Sequence, residues 1–109
     1  MKTILVAAML AVVSTGAAAQ QTTAPAHIAQ IVTGWGYDSF SVNLGTAISN
    51  PAGCPASDMA VVSTDSPGYK TYYAAALTAF ANDLPVSLVI STTACEGTRP
   101  RIIGIQMTH

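Results

Sequence analysis

The sequence predicts a mainly β fold, a small barrel of five strands with one helix, and three observations lead to it. Polar and apolar residues alternate around Phe40–Leu44 and again around Val86–Ile90, which is typical of strands with one buried face. Only one stretch, from Tyr69 to Leu84, carries apolar residues at helical spacing. The length of 109 residues leaves room for a single domain.

Composition narrows the class of protein. Charged residues make up 8% of the chain and hydrophobic residues 50%, which excludes a disordered chain. The formal net charge of −1 argues against a nucleic-acid partner, because displacing counterions from phosphates requires a basic surface.

Residues 1–19 have the pattern of a signal peptide. Lys2 supplies a positive start, Ile4 to Val13 form an apolar run, and three alanines precede Gln20. The run is shorter than the roughly 20 residues that a membrane span needs. We therefore expect a chain of residues 20–109 with no membrane span, exported to the periplasm or secreted. Its three basic and five acidic residues give a net charge of −2.

Cys54 and Cys95 are the two cysteines of the chain. An even count in a small exported domain predicts a disulfide, and two cysteines allow one pairing. The alternative is a metal or redox site. It is disfavoured because the sequence has no CxxC motif and the two histidines, His27 and His109, lie at the ends of the exported chain. We expect neither a metal nor a cofactor.

The predicted elements follow a simple order after a flexible lead-in at residues 20–26. Residues 27–109 form the single domain. Strands are predicted at 27–34, 39–45, 58–64, 86–91 and 101–107, with a loop at 92–100. Ser66 is predicted as the N-cap of the helix, with Pro67 in its first turn, and the helix ends near Asn82. The buried face of the helix is predicted to carry Tyr69, Tyr73, Ala76, Leu77, Phe80 and Leu84. The order β-β-β-α-β-β is that of the OB-fold, a small five-stranded barrel.

A family resemblance rests on several short segments. They are SNPAGC at 49–54, SPGYK at 66–70, ALTAF at 76–80, PVSLVI at 85–90, Cys95, and RPRIIGI at 99–105. In this layout the chain resembles small secreted bacterial proteins of the pertussis-like toxin B subunit family, which includes the B subunit of subtilase cytotoxin. The resemblance implies an OB-fold with an internal disulfide, assembly as a pentamer, and binding of sialylated glycans. None of that family's sugar-binding residues can be matched here.

A candidate ligand site lies at the tip of the first predicted hairpin. Trp35 and Tyr37 are aromatic residues that can stack on a sugar ring, and Asp38 beside them can accept hydrogen bonds from hydroxyls. Ser39 and Ser41 add a polar stripe, which Asn43 continues. The alternatives are that Trp35 folds back to cap the barrel and that the stripe is an ordinary solvent face.

The sequence offers two further candidate contact sites. Tyr72, Ala75 and Ala79 form an uncharged strip on the helix, which we predict as an oligomer contact. Arg99 and Arg101 flank Pro100 and could contact an acidic sugar or serve as ordinary surface charges.

These patterns favour binding over catalysis. The sequence has no G-x-S-x-G motif, and no histidine is predicted within reach of a serine and a carboxylate. The sequence therefore predicts an exported, non-enzymatic binding module that takes a glycan or a surface protein. The alternative is a monomeric exported protein that binds or inhibits another protein.

Overall fold

The structure, a computed structural model, describes residues 19–34 and 36–108. The predicted signal peptide, apart from Ala19, lies outside the described residues, as do Trp35 and His109. Within the described ranges, the one helix is too short to cross a membrane. The elements are β1 Gln20–Thr22, β2 Ala26–His27, β3 Gln30–Thr33, β4 Ser39–Asn43, β5 Ala60–Ser63, α1 Tyr69–Ala81, β6 Pro85–Glu96 and β7 Arg99–Met107.

The strands belong to one sheet of seven strands in the order β1-β6-β7-β5-β4-β3, with β2 also paired to β6. The β5–β7 pair is parallel and the other pairs are antiparallel. The mainly β class is confirmed, but the closed barrel of five strands is not. The predicted first strand breaks at Ile28 and Ala29 into β2 and β3, which pair with different neighbours, β6 and β4.

The segment 20–26, predicted as a flexible lead-in, contributes β1 and the first residue of β2. Its small polar side chains are compatible with pairing because the backbone supplies the hydrogen bonds. Gln20–Thr22 pair with Val89–Ser91, and the N–H of Thr23 donates to the carbonyl of Leu88 at 2.8 Å. The segment therefore covers the edge of β6 that would otherwise be open to another chain.

The predicted loop 92–100 is mostly strand. β6 continues to Glu96, and β7 begins at Arg99 after a two-residue turn. Gly97 makes this turn possible with a φ of +63°, a conformation that other residues adopt only with strain. The register shifts twice, between Val89 and Ile90 and between Ile90 and Cys95. These irregularities hide the alternation by which a strand is recognised in a sequence.

The helix and its N-cap begin two residues later than predicted. Gly68 occupies the N-cap position and, having no side chain, cannot cap the helix with a side-chain hydrogen bond. The carbonyl of Ser66 accepts a hydrogen bond from the N–H of Tyr69 at 3.0 Å. Ser66 and Pro67 therefore belong to a turn that precedes α1.

The predicted buried face of the helix is confirmed in part, since Tyr69, Tyr73, Ala76 and Leu84 are in or against the core, but Leu77 and Phe80 are not. Ala76 and Ala79 are buried, whereas Leu77 and Phe80 are 42% and 47% exposed. Small alanine side chains allow α1 to approach the strands closely. The tyrosines fill the space beside them, and the ring centroid of Tyr73 lies 5.0 Å from that of Phe40.

The core lies between α1 and the inner faces of the strands. Its largest fully buried side chains are Phe40, Leu88, Ile90, Ile102, Val42, Val62, Val86 and Pro100. The Cys54–Cys95 disulfide is confirmed and joins the loop before β5 to the end of β6. It therefore holds the β6–β7 hairpin tip near the chain that enters β5.

Candidate functional site

The candidate site lies on the outer face of the sheet, opposite the core. Phe40 and Val42 of β4 face the core, so the alternation of a strand places Ser39 and Ser41 on the outer face. Ser41 pairs with Val61 of β5, and Val61 pairs with Arg101 of β7. Because paired residues share a face, these three residues form a row across the outer face.

A cavity of about 240 Å³ opens on this face. We call it the hairpin cavity, because the tip of the β6–β7 hairpin forms one of its walls. Its lining consists of Tyr37, Ser39, Ser41, Met59, Val61 and residues 96–99. The strands supply the floor, and the loop before β4 and the hairpin tip supply the sides.

Three of the five predicted ligand residues meet in this cavity, namely Tyr37, Ser39 and Ser41. Tyr37 is half exposed, whereas Ser39 and Ser41 are only 4% and 8% exposed. The idea that the serines form an ordinary solvent face is therefore wrong. The hairpin tip lines the same cavity as these serines, and that long-range proximity is invisible in the local sequence.

The two serines have different roles. The Ser39 hydroxyl donates to the carbonyl of Gly34 at 2.9 Å and so stabilises the loop that carries Tyr37. Within the described residues, the Ser41 hydroxyl has no hydrogen-bond partner. It is therefore one of the hydroxyls of the cavity that are available to a ligand.

Of the other two predicted ligand residues, Asp38 is described and does not line this cavity. Trp35 lies outside the described residues. The Asp38 carboxylate accepts a hydrogen bond from the Tyr69 hydroxyl at 3.0 Å. Burial, together with this hydrogen bond, raises the pKa of Tyr69. Asp38 therefore ties the hairpin loop to the start of α1.

Glu96 is a charged residue of the cavity that the sequence does not indicate as a site residue, because an acid near the end of an element is usually solvated. It is only 8% exposed. Its Oε1 lies 3.2 Å from Nε of Arg101, but both atoms are buried without a hydrogen-bond partner among the described residues. A buried ion pair is stabilising only when its remaining lone pairs and protons are satisfied, so this pair leaves hydrogen-bonding capacity unused.

Arg99 forms a second, more exposed ion pair with Asp58. Its Nε donates to Oδ1 at 2.6 Å and its Nη2 donates to Oδ2 at 3.2 Å, a bidentate arrangement. The hydrogen bond from Arg99 lowers the pKa of Asp58, and the same bond raises the pKa of Arg99. Both arginines that could contact an acidic sugar thus already have a carboxylate partner.

A second cavity, of about 510 Å³, lies on the other side of this ion pair. We call it the loop cavity, because residues 45–47 and 57–58 line it together with Asn43 of β4. Asp58 lines the loop cavity and Arg99 lines the hairpin cavity. The Asp58–Arg99 pair is therefore the wall between the two.

The predicted oligomer strip faces the sheet instead of solvent. Ala79 is in the core, Ala75 is partly buried, and the Tyr72 hydroxyl donates to the carbonyl of Ile103 at 2.9 Å. The prediction failed because the helix is apolar on most sides, so spacing alone does not indicate which side is buried.

The titratable residues of the described chain are dispersed. Within the ranges 19–34 and 36–108, no group of three His, Cys, Asp or Glu residues is arranged to hold a metal. Nδ1 of His27 lies 2.9 Å from Oδ1 of Asp83, and neither residue lines the hairpin cavity.

Comparison with known proteins identifies no relative of this chain. The chain matches no protein-family model, no curated protein and no solved structure. The resemblance to toxin B subunits therefore stays a prediction.

Proposed function

We propose that this protein is an exported, non-enzymatic binding module that holds a glycan in the hairpin cavity. The observation that carries the proposal is that the Ser41 hydroxyl, which has no hydrogen-bond partner in the part of the chain that the structure describes, shares one cavity with the half-exposed Tyr37 ring and the buried Glu96 side chain. A sugar ring has one face of C–H groups and a rim of hydroxyls. An aromatic ring can cover the former, while a hydroxyl and a carboxylate can bind the latter.

Export is part of the proposal and rests on two features. The N-terminal pattern of residues 1–19 is typical of a signal peptide. The Cys54–Cys95 disulfide is compatible with an oxidising compartment.

We also propose that the sheet is an OB-like barrel with an irregular seam. The order β3-β4-β5-β7-β6 with a parallel β5–β7 pair matches the strand order of that fold. Residues 26–33 would act as its bent first strand, because Ala26 and His27 pair with β6 while Gln30–Thr33 pair with β4. An experimental structure with continuous pairing of residues 26–33 around the barrel would support this assignment, and separate sheets would refute it.

The test of glycan binding is an array screen of the oxidised protein followed by calorimetric titration of the best glycan. We expect Tyr37→Ala and Ser41→Ala each to weaken binding, by about 10-fold for the loss of a stacked ring and less for a single neutral hydrogen bond. Thr71→Ala on the exposed side of α1 is the matched control and should bind like wild type. Equal affinity in all four proteins would rule out the hairpin cavity as the site.

A second candidate function is protein recognition through the outer face of α1. Leu77 and Phe80 are large apolar residues exposed one helical turn apart, and apolar patches of this kind mark protein contacts. A partner recovered by the wild-type protein but not by a Leu77→Ser, Phe80→Ser variant would favour this function. Recovery by both proteins would count against it.

A further inference from the structure

The glycan site of the proposed function does not end at the hairpin cavity. Resting on that function, we infer that the site continues into the loop cavity, so that it takes an uncharged oligosaccharide of at least two sugar units across the Asp58–Arg99 pair. Three properties of the described residues carry this inference, namely continuity, size and charge.

Continuity comes from β4. Ser41 lines the hairpin cavity and Asn43 lines the loop cavity. Residues two apart on a strand share a face and lie about 7 Å apart, so one polar stripe runs from the first cavity into the second. The Asp58–Arg99 pair, 2.6 Å between Oδ1 and Nε, is the wall that a bound chain would cross.

Size argues for more than one sugar unit. The hairpin cavity, at about 240 Å³, falls below the range of about 300–1,000 Å³ typical of ligand pockets. The loop cavity, at about 510 Å³, is the larger of the two. A ligand confined to the hairpin cavity would leave the larger adjoining space empty, whereas a chain would use both.

Charge argues for an uncharged ligand. Arg99 is paired with Asp58 and Arg101 with Glu96, so each guanidinium is already balanced by a carboxylate. A carboxylate on the ligand would bring a further negative charge close to Asp58 and Glu96. A hydroxyl has no such cost, because it can donate to either carboxylate and accept from an N–H that Arg99 does not use for Asp58.

The Asp58–Arg99 pair suits sugar hydroxyls for a second reason. It presents acceptors and donors side by side, and neighbouring hydroxyls of a sugar both donate and accept. Its exposed position lets a ligand reach it without displacing either partner. The pair is therefore placed to bind the linkage region between two sugar units.

The experiment measures binding of matched saccharides to the oxidised protein by calorimetry. The probes are glucose with maltose and cellobiose, galactose with lactose, mannose with mannobiose, N-acetylglucosamine with chitobiose, and 3′-sialyllactose. We expect at least one neutral disaccharide to bind about 10-fold or more tightly than its monosaccharide. We expect 3′-sialyllactose to bind no more tightly than lactose.

Two variants test whether the loop cavity causes the gain in affinity from monosaccharide to disaccharide. Ala47→Trp fills the loop cavity, and we expect it to lower the disaccharide affinity to the level of the monosaccharide. Ala74→Trp places the same bulk on the exposed side of α1 and should retain the full gain. Circular dichroism of both variants shows whether the fold is intact, and Thr46→Trp provides a second filling variant if Ala47→Trp does not fold.

The experiment distinguishes failure of this inference from failure of the proposed function. Equal affinity for monosaccharides and disaccharides, with both lost in Tyr37→Ala, would overturn the extension and leave the proposed function standing. Tightest binding of 3′-sialyllactose through the same residues would overturn the uncharged ligand only. Binding of no saccharide would overturn both this inference and the proposed function.

Discussion

At the scale of single residues, the exposed Asp58–Arg99 pair links the candidate site to the pH dependence of stability. The hydrogen bond from Arg99 holds the pKa of Asp58 below its ordinary value. A carboxyl whose pKa is lower in the folded state stabilises the fold while it is ionised, above the pKa of the unfolded chain. The contribution is lost as the pH falls through the folded-state pKa.

We therefore predict that Asp58→Asn is less stable than wild type at neutral pH, by less than about 1 kcal/mol because the pair is solvent-exposed. The difference should shrink as the pH falls below about 4. Urea unfolding at a series of pH values measures it. Asp65→Asn is the control, since Asp65 is exposed and forms no ion pair with the described residues. A difference that does not change with pH would contradict the prediction.

Gly68 has no Cβ, and the space this leaves is occupied by the ring of Tyr72. A Cβ at this position would lie 2.3 Å from Cζ of Tyr72, and the ring cannot move away without breaking its hydrogen bond to the carbonyl of Ile103. We predict that Gly68→Ala lowers the free energy of unfolding by about 1–3 kcal/mol. In a Tyr72→Ala background the same substitution should cost much less. Equal costs in the two backgrounds would show that Tyr72 is not the obstacle.

At the scale of elements, the Cys54–Cys95 disulfide encloses β5, α1 and nearly all of β6. A link across 41 positions restricts the unfolded chain by about 4 kcal/mol in the chain-entropy model. We predict a loss of that order in the Cys54→Ser, Cys95→Ser variant, measured by urea unfolding. Reductant should destabilise wild type and leave the double variant unchanged, and an equal effect on both would point to another cause.

The elements also show what local sequence can and cannot predict. The strand β4 and the disulfide could be predicted, because alternation and cysteine count are local or compositional signals. The strand β1 could not, since QQT has no apolar pattern and pairs through its backbone. The end of β6 was missed for a similar reason, because its register shifts twice.

The residues of the candidate site also divide into those that the local sequence could predict and those that it could not. Tyr37, Ser39 and Ser41 are close in sequence, so the hairpin and its alternation were enough to group them. Glu96 and Arg99 come from a hairpin more than 50 residues further along the chain. Their approach depends on the parallel β5–β7 pair and the disulfide, which bring distant segments together.

At the scale of the whole molecule, α1 has more apolar surface than one sheet can cover. The sheet buries the alanines, and Leu77 and Phe80 stay exposed. Lys70 is the one charged residue of this helix, so two copies could bring their helices together with little charge repulsion. A helix that is apolar on most sides is typical of one buried on more than one side.

We therefore predict that the protein forms a homo-oligomer through the outer face of α1, at Leu77 and Phe80 instead of the Tyr72, Ala75 and Ala79 strip. Native mass spectrometry of the oxidised protein at several concentrations measures its assembly. Leu77→Ser with Phe80→Ser should shift the distribution to monomer, because it removes the apolar area whose burial drives association. Thr71→Ser with Thr78→Ser is the control on exposed positions of the same helix. A wild-type protein that stays monomeric at every concentration would contradict self-association through this face and leave the hairpin cavity unaffected.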